Sequence, residues 1–179
     1  MQAQDILRFW FEELSDQQRF AKDAALDAAM RERFGKVLRA ASRGELFTWR
    51  TTPQGRLAEI VVLDQFSRNI HRDTPTAFAQ DAQALTLAQE LVASGQDYVL
   101  EAGWRSFAYM PYMHSESPLI HTQAVALFSQ TGMEGTLAYE QRHKAIIDQF
   151  GRFPHRNAVL GRTSTAEELA FLAQPGSSF

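Results

Sequence analysis

Cysteine is absent from all 179 residues, which removes disulfides, thiolate nucleophiles and thiolate metal sites from consideration. Lysine is nearly absent too: Lys22, Lys36 and Lys144 stand against fifteen arginines. There is no cationic surplus. The formal charge is −3 and the isoelectric point is near 5.9, whereas a nucleic-acid-binding domain carries a clear basic excess. Long apolar runs are missing as well. The longest, such as Ile60-Val61-Val62-Leu63, fall far short of the ~20 residues that span a bilayer. The opening Met1-Gln2-Ala3-Gln4-Asp5 has neither the basic start nor the apolar stretch of a signal peptide. A cytoplasmic protein with no nucleic-acid or membrane partner is the expectation.

Familiar catalytic signatures are missing in the same way. The chain has no glycine-rich phosphate loop, no GxSxG elbow, no GxGxxG turn and no HExxH helix, so no cofactor or metal is predicted from a motif. A metal held by His114, Glu116 and either His143 or His155 would match no established spacing. Segments of alternating, β-branched character are missing too, and the fold class predicted is all-α.

What remains is a series of amphipathic helices with clear punctuation. Ile6, Phe9, Trp10 and Leu14 recur at helical spacing after Asp5, predicting a first helix with Asp5 as its cap. A longer helix is predicted over 22–43, with Leu26, Met30, Phe34, Val37, Leu38 and Ala41 inward and Gly44 as its stop. A third, over about 56–72, is apolar almost all round in its first half, which predicts a central, buried position. Thr74-Pro75 opens a fourth that Gly95 ends. Further helices are predicted over about 104–113, from Ser117-Pro118 to Thr131, and over 134–150 up to Gly151. Thr165-Ala166-Glu167-Glu168 carries the capping-box pattern of a last one. Connections are short and no linker intervenes, so one compact domain of antiparallel helix pairs over 1–179 is predicted.

Charge and histidine fall on these helices at telling places. Asp64, Arg68 and Arg72 continue the apolar stripe of the third helix, so an inward face turns ionic towards its end. An i,i+4 pair of Asp64 with Arg68 is the structural reading; an arginine pair, Arg68 and Arg72, at the floor of a pocket with Asn69 beside it is the functional one. His143 lies within the apolar face of the penultimate helix, where a hydrogen-bonded core histidine is the ordinary outcome. His114 and Glu116 form a proton-transfer pair in the link before Pro118, although Glu116 also suits a helix N-terminus. Most conspicuous is Phe150-Gly151-Arg152-Phe153-Pro154-His155-Arg156-Asn157, closed by Leu160-Gly161-Arg162. There the aromatics can anchor a loop while guanidinium forks engage carboxylate or phosphate.

The combination of Leu63-Asp64-Gln65-Phe66-Ser67-Arg68-Asn69-Ile70, His114-Ser115-Glu116 and that arginine loop resembles the family called domain of unknown function 924. The likeness runs from Leu7-Arg8-Phe9-Trp10-Phe11 to the end of the chain. It implies a compact, tetratricopeptide-like helical fold and supports one shared site for the three segments. It brings no reaction with it.

The leading functional reading is a small-molecule site selective for a phosphate- or carboxylate-bearing ligand. Arg68, Asn69, Arg72, Arg152, Arg156, Asn157 and Arg162 would bind the ligand, and His114, Glu116, His143 and His155 would move protons in a hydrolysis or transfer. The alternative is a protein-interaction module in which the Arg/His cluster is a structural ion network.

Overall fold

The computed structural model describes residues 1–177, and among them the chain forms helices and turns with no strand. The first helix, α1 (Ala3–Arg8), begins earlier than the pattern predicts. Asp5 is not its cap; the Asp5 carboxylate reaches back one turn to accept from the Gln2 amide at 2.8 Å. A π-turn, Phe9–Glu13, continues α1, and a short α2 (Asp16–Phe20) follows that the apolar pattern did not show. Its signal is a capping box, Ser15 with Gln18. Then come α3 (Ala24–Ser42), capped by Asp23, and α4 (Pro53–Val61), capped by Thr52 with Pro53 in its first turn.

A second π-turn, Val62–Phe66, joins α4 to α5 (Ser67–Ile70) without a break, so these segments run as one helix through the centre of the molecule. Leu57, Ala58, Ile60, Val61, Val62 and Leu63 have no exposed surface. The predicted central helix is therefore the structural axis. The predicted fourth helix divides into a 3₁₀ turn, Pro75–Phe78, and α6 (Asp81–Ala93). It is followed by α7 (Ala102–Met113), α8 (Pro118–Phe128), α9 (Glu134–Phe150), a 3₁₀ turn at Pro154–Arg156, and α10 (Ala166–Leu172), whose Thr165–Glu168 capping box is formed.

Two apolar clusters hold the helices. The larger is centred on Phe9, Trp10, Phe34 and Phe66, whose rings pack 4.5–5.8 Å apart across the first π-turn, α3 and the central helix. The smaller, Ile146, Ile147 and Phe153 with Phe150 and Phe171, ties α9 to the arginine loop and α10. Burying such side chains supplies roughly 2–3 kcal/mol each against the cost of ordering the chain.

One glycine has a steric cause. A Cβ on Gly55, in the first turn of α4, would fall inside contact distance of the Trp49 carbonyl oxygen. That atom is backbone and has little freedom to move. Alanine at a helical position normally adds stability; Gly55→Ala is expected to lose about 3 kcal/mol instead. Urea denaturation gives the value, and a gain would show that the turn before α4 yields easily.

Candidate functional site

A cavity of about 1030 Å³ lies between the central helix, α7, α9 and the arginine loop. The larger apolar cluster reaches it through Met110 and Met113, while the smaller cluster backs α9 and, through Phe153, the start of the 154–156 turn. Of the residues singled out from sequence, Arg68, Asn69, Arg72, His114, His143, His155 and Arg156 line it.

The deepest chemistry is at His114, the C-cap of α7. Its Nδ1 is 2.7 Å from Asp64 Oδ1. Asp64 is fully enclosed at the π-turn of the central helix, where Gln65 Nε2 donates to its other oxygen at 2.5 Å and Arg68 Nη1 stands 3.2 Å from Oδ1. Burial pushes the Asp64 carboxyl up, but its pairing with His114, the Arg68 cation and the Gln65 hydrogen bond outweigh it and hold it below the usual carboxylate range. Burial, helped by the Arg68 cation, pushes His114 below its ordinary value against the pull of Asp64. A neutral His114 therefore donates its Nδ1–H as a hydrogen bond to the Asp64 carboxylate and keeps a lone pair on Nε2, which has no hydrogen-bond partner among the described residues.

Two more imidazoles stand close by. The His143 ring centre is 6.4 Å from that of His114, and its Nδ1 donates to the Tyr139 carbonyl one turn back, at 2.8 Å. Phe153 packs between His143 (5.7 Å) and His155 (5.6 Å). Burial lowers His143 to about 3; burial and the Arg156 cation lower His155 to about 4. Both rings are neutral at pH 7.

The arginines are matched by aspartates. Arg68 makes a two-pronged bond to Asp81 (2.9 and 3.0 Å) besides its contact with Asp64. Arg72 grips Asp27 at 2.5 and 2.9 Å, and Asn69 donates to the same carboxylate. Arg156 is 6% exposed and lies between the Phe78 and Phe153 rings, 4.6 and 4.5 Å from their centres. It donates to Asp81 (3.2 Å) and to the His114 carbonyl (3.1 Å), while its Nε has no acceptor. Burial and the neighbouring Arg68 lower it to about 10.

The remaining expected residues sit behind the wall. Arg162 forks onto Glu116 at 2.7 and 3.0 Å, and the Phe153 amide donates to the same carboxylate at 2.7 Å. Glu116 thus clamps the arginine loop to the link after α7 and is not among the residues lining the cavity. Arg152 holds Glu168 in α10 (2.6 and 2.8 Å), and Asn157 bridges Glu168, Ser164 and Arg162. His121 and Glu140, both fully buried, pair at 2.8 Å, and His121 Nε2 meets the Ser115 carbonyl, fixing the link next to His114.

Asp27 and Asp81 went unassigned as site residues in the sequence. Asp27 had a signal, since it stands three and seven residues before Met30 and Phe34 on the inner face of α3. Nothing local marks Asp81, the first residue of α6. No group of three or more potential metal ligands is assembled among the described residues, and none of their helices is long and apolar enough to cross a membrane.

The fold and site define an all-helical protein whose cavity holds a histidine oriented by a buried carboxylate. More particularly, the chain belongs to the family described as bacterial protein of unknown function (DUF924), whose model matches residues 6–176. It is similar to the solved structure of the protein of unknown function ATU0120 from Agrobacterium tumefaciens: TM-score 0.90, 36% identity, with 96% of each chain covered. No curated protein matches.

Proposed function

We propose that the cavity is a small-molecule site in which His114 acts as general base on an organic anion, in a hydrolysis or transfer reaction. The observation that carries this reading is the Asp64–His114 pair. A buried carboxylate sets the imidazole tautomer and leaves Nε2 as an acceptor at a cavity wall. Arg68 and Gln65 hold Asp64 in place, so they orient the base through it.

A general base of this kind contributes about 10²–10⁴ in rate. Screening carboxylate and phosphate esters should identify a turned-over compound whose rate falls at least about 100-fold in His114→Gln, with binding retained. The rate should also fall on the acid side, because only the neutral imidazole accepts a proton. Full activity in His114→Gln would overturn the assignment.

A further inference from the structure

Resting on the reading of the cavity as a small-molecule site, the distribution of charge around it narrows the ligand class. Arg19, Arg68, Arg72 and Arg156 line the cavity, and each is already held by an aspartate: Asp16, Asp81 with Asp64, Asp27, and Asp81 respectively. Among the described residues Asp73 is the carboxylate in the lining itself; it is exposed and acts on Arg72. The interior is therefore close to neutral, and its arginines are engaged in positioning Asp64, His114 and the central helix. A polyphosphate brought there would meet cations whose charge is already balanced by fixed anions.

Two cations in the lining have no carboxylate partner among the described residues: Lys22, after α2, and Arg142, on α9. Both are exposed, which places them at the mouth. Two exposed aromatic side chains also line the cavity, Phe20 two positions before Lys22 and Tyr139 three before Arg142. Phe20 is 67% exposed and Tyr139 is 56% exposed, with the Arg142 guanidinium 5.5 Å from the Tyr139 ring centre. Further in, Phe78, Met110, Met113 and Val159 contribute apolar wall, and the thioethers adapt readily to different shapes. At about 1030 Å³ the space exceeds the needs of inorganic phosphate and suits an organic molecule of some size.

We infer that Lys22 and Arg142 hold the single negative charge of an amphipathic carboxylate at the cavity mouth, while its apolar body enters between Phe20 and Tyr139 towards His114. Uncompensated charge at the rim attracts the anion, and the apolar wall gains from the body it covers. The ligand class is a monocarboxylate on an aryl or medium-chain alkyl body. Nucleotides and inorganic phosphate fall outside it.

The test is calorimetric titration of the full chain with 4-phenylbutyrate, octanoate, inorganic phosphate and ADP, with the neutral 4-phenylbutyramide as control. The carboxylates should bind more tightly than phosphate, ADP or the amide, and more weakly as salt rises. Arg142→Gln and Lys22→Gln should each raise the carboxylate Kd about tenfold, leaving the amide unaffected. Their unliganded melting temperatures should match the parent, since both side chains are exposed. Unchanged carboxylate affinity in the double variant overturns the inference, as does preferential binding of ADP or phosphate. Failure of every probe to bind overturns it too; ester turnover that still depends on His114 would then leave the catalytic reading standing.

Discussion

Between pH 6.5 and 4.5 the protein is expected to lose about 5 kcal/mol of stability, enough to unfold many domains. The cause is the histidine row. Burial holds His143 near 3 and His155 near 4 in the folded state, against an ordinary 6.5. Below 6.5 the unfolded chain takes up these protons and the folded chain does not. The stability the two groups contribute is complete above 6.5 and is lost as the pH falls towards their folded values. Each costs about 1.4 kcal/mol per pH unit across that window. His114, also lowered by burial, acts in the same direction. Carboxylates held low, such as Asp64 and Glu116, add their loss only further down, where unfolded carboxylates protonate. Urea denaturation at half-unit steps measures the slope, and His143→Gln should reduce it by about 1.4 kcal/mol per unit. A flat profile from 6.5 to 4.5 would mean that these rings charge freely in the folded protein.

Asp81→Ala is expected to destabilise the fold by about 3 kcal/mol, the low end of the range for breaking a buried ion pair from one side, because Asp81 keeps 20% of its side-chain surface exposed. The Asp81 carboxylate is shared by Arg68 and Arg156, so its loss leaves Arg156 without its ion-pair partner and facing Arg68, which keeps Asp64. Arg68 already lowers Arg156 by like-charge repulsion, and Asp81 is the main counterweight. A second substitution separates this cause from simple cavity formation. Arg156→Met in the Asp81→Ala background removes the stranded cation and should restore part of the loss. Denaturant midpoints of the two singles and the double give the coupling. A double variant whose loss equals the sum of the two singles would show that charge is not the cause.

The sequence by itself determined the helical class, most helix boundaries and the central place of the helix running into Asp64, because these follow from local forces. Apolar side chains repeating at 3.6 residues select a buried face, and capping residues such as Thr165 with Glu168 satisfy orphan backbone amides within four positions. The π-turns escaped that reading, since Phe9–Glu13 and Val62–Phe66 differ from α-helix only in hydrogen-bond register, which packing selects. The three motif segments were also legible as ionic and aromatic clusters on inward faces. What only the tertiary structure decided was the pairing. Asp27 lies 45 positions from Arg72 and Asp81 lies 75 from Arg156, and no spacing rule links residues that far apart. A guanidinium's role depends on whether a carboxylate reaches it first. For that reason Arg152 and Arg162 close helices onto one another, while Arg142 and Lys22, unremarkable in the chain, have no carboxylate partner among the described residues.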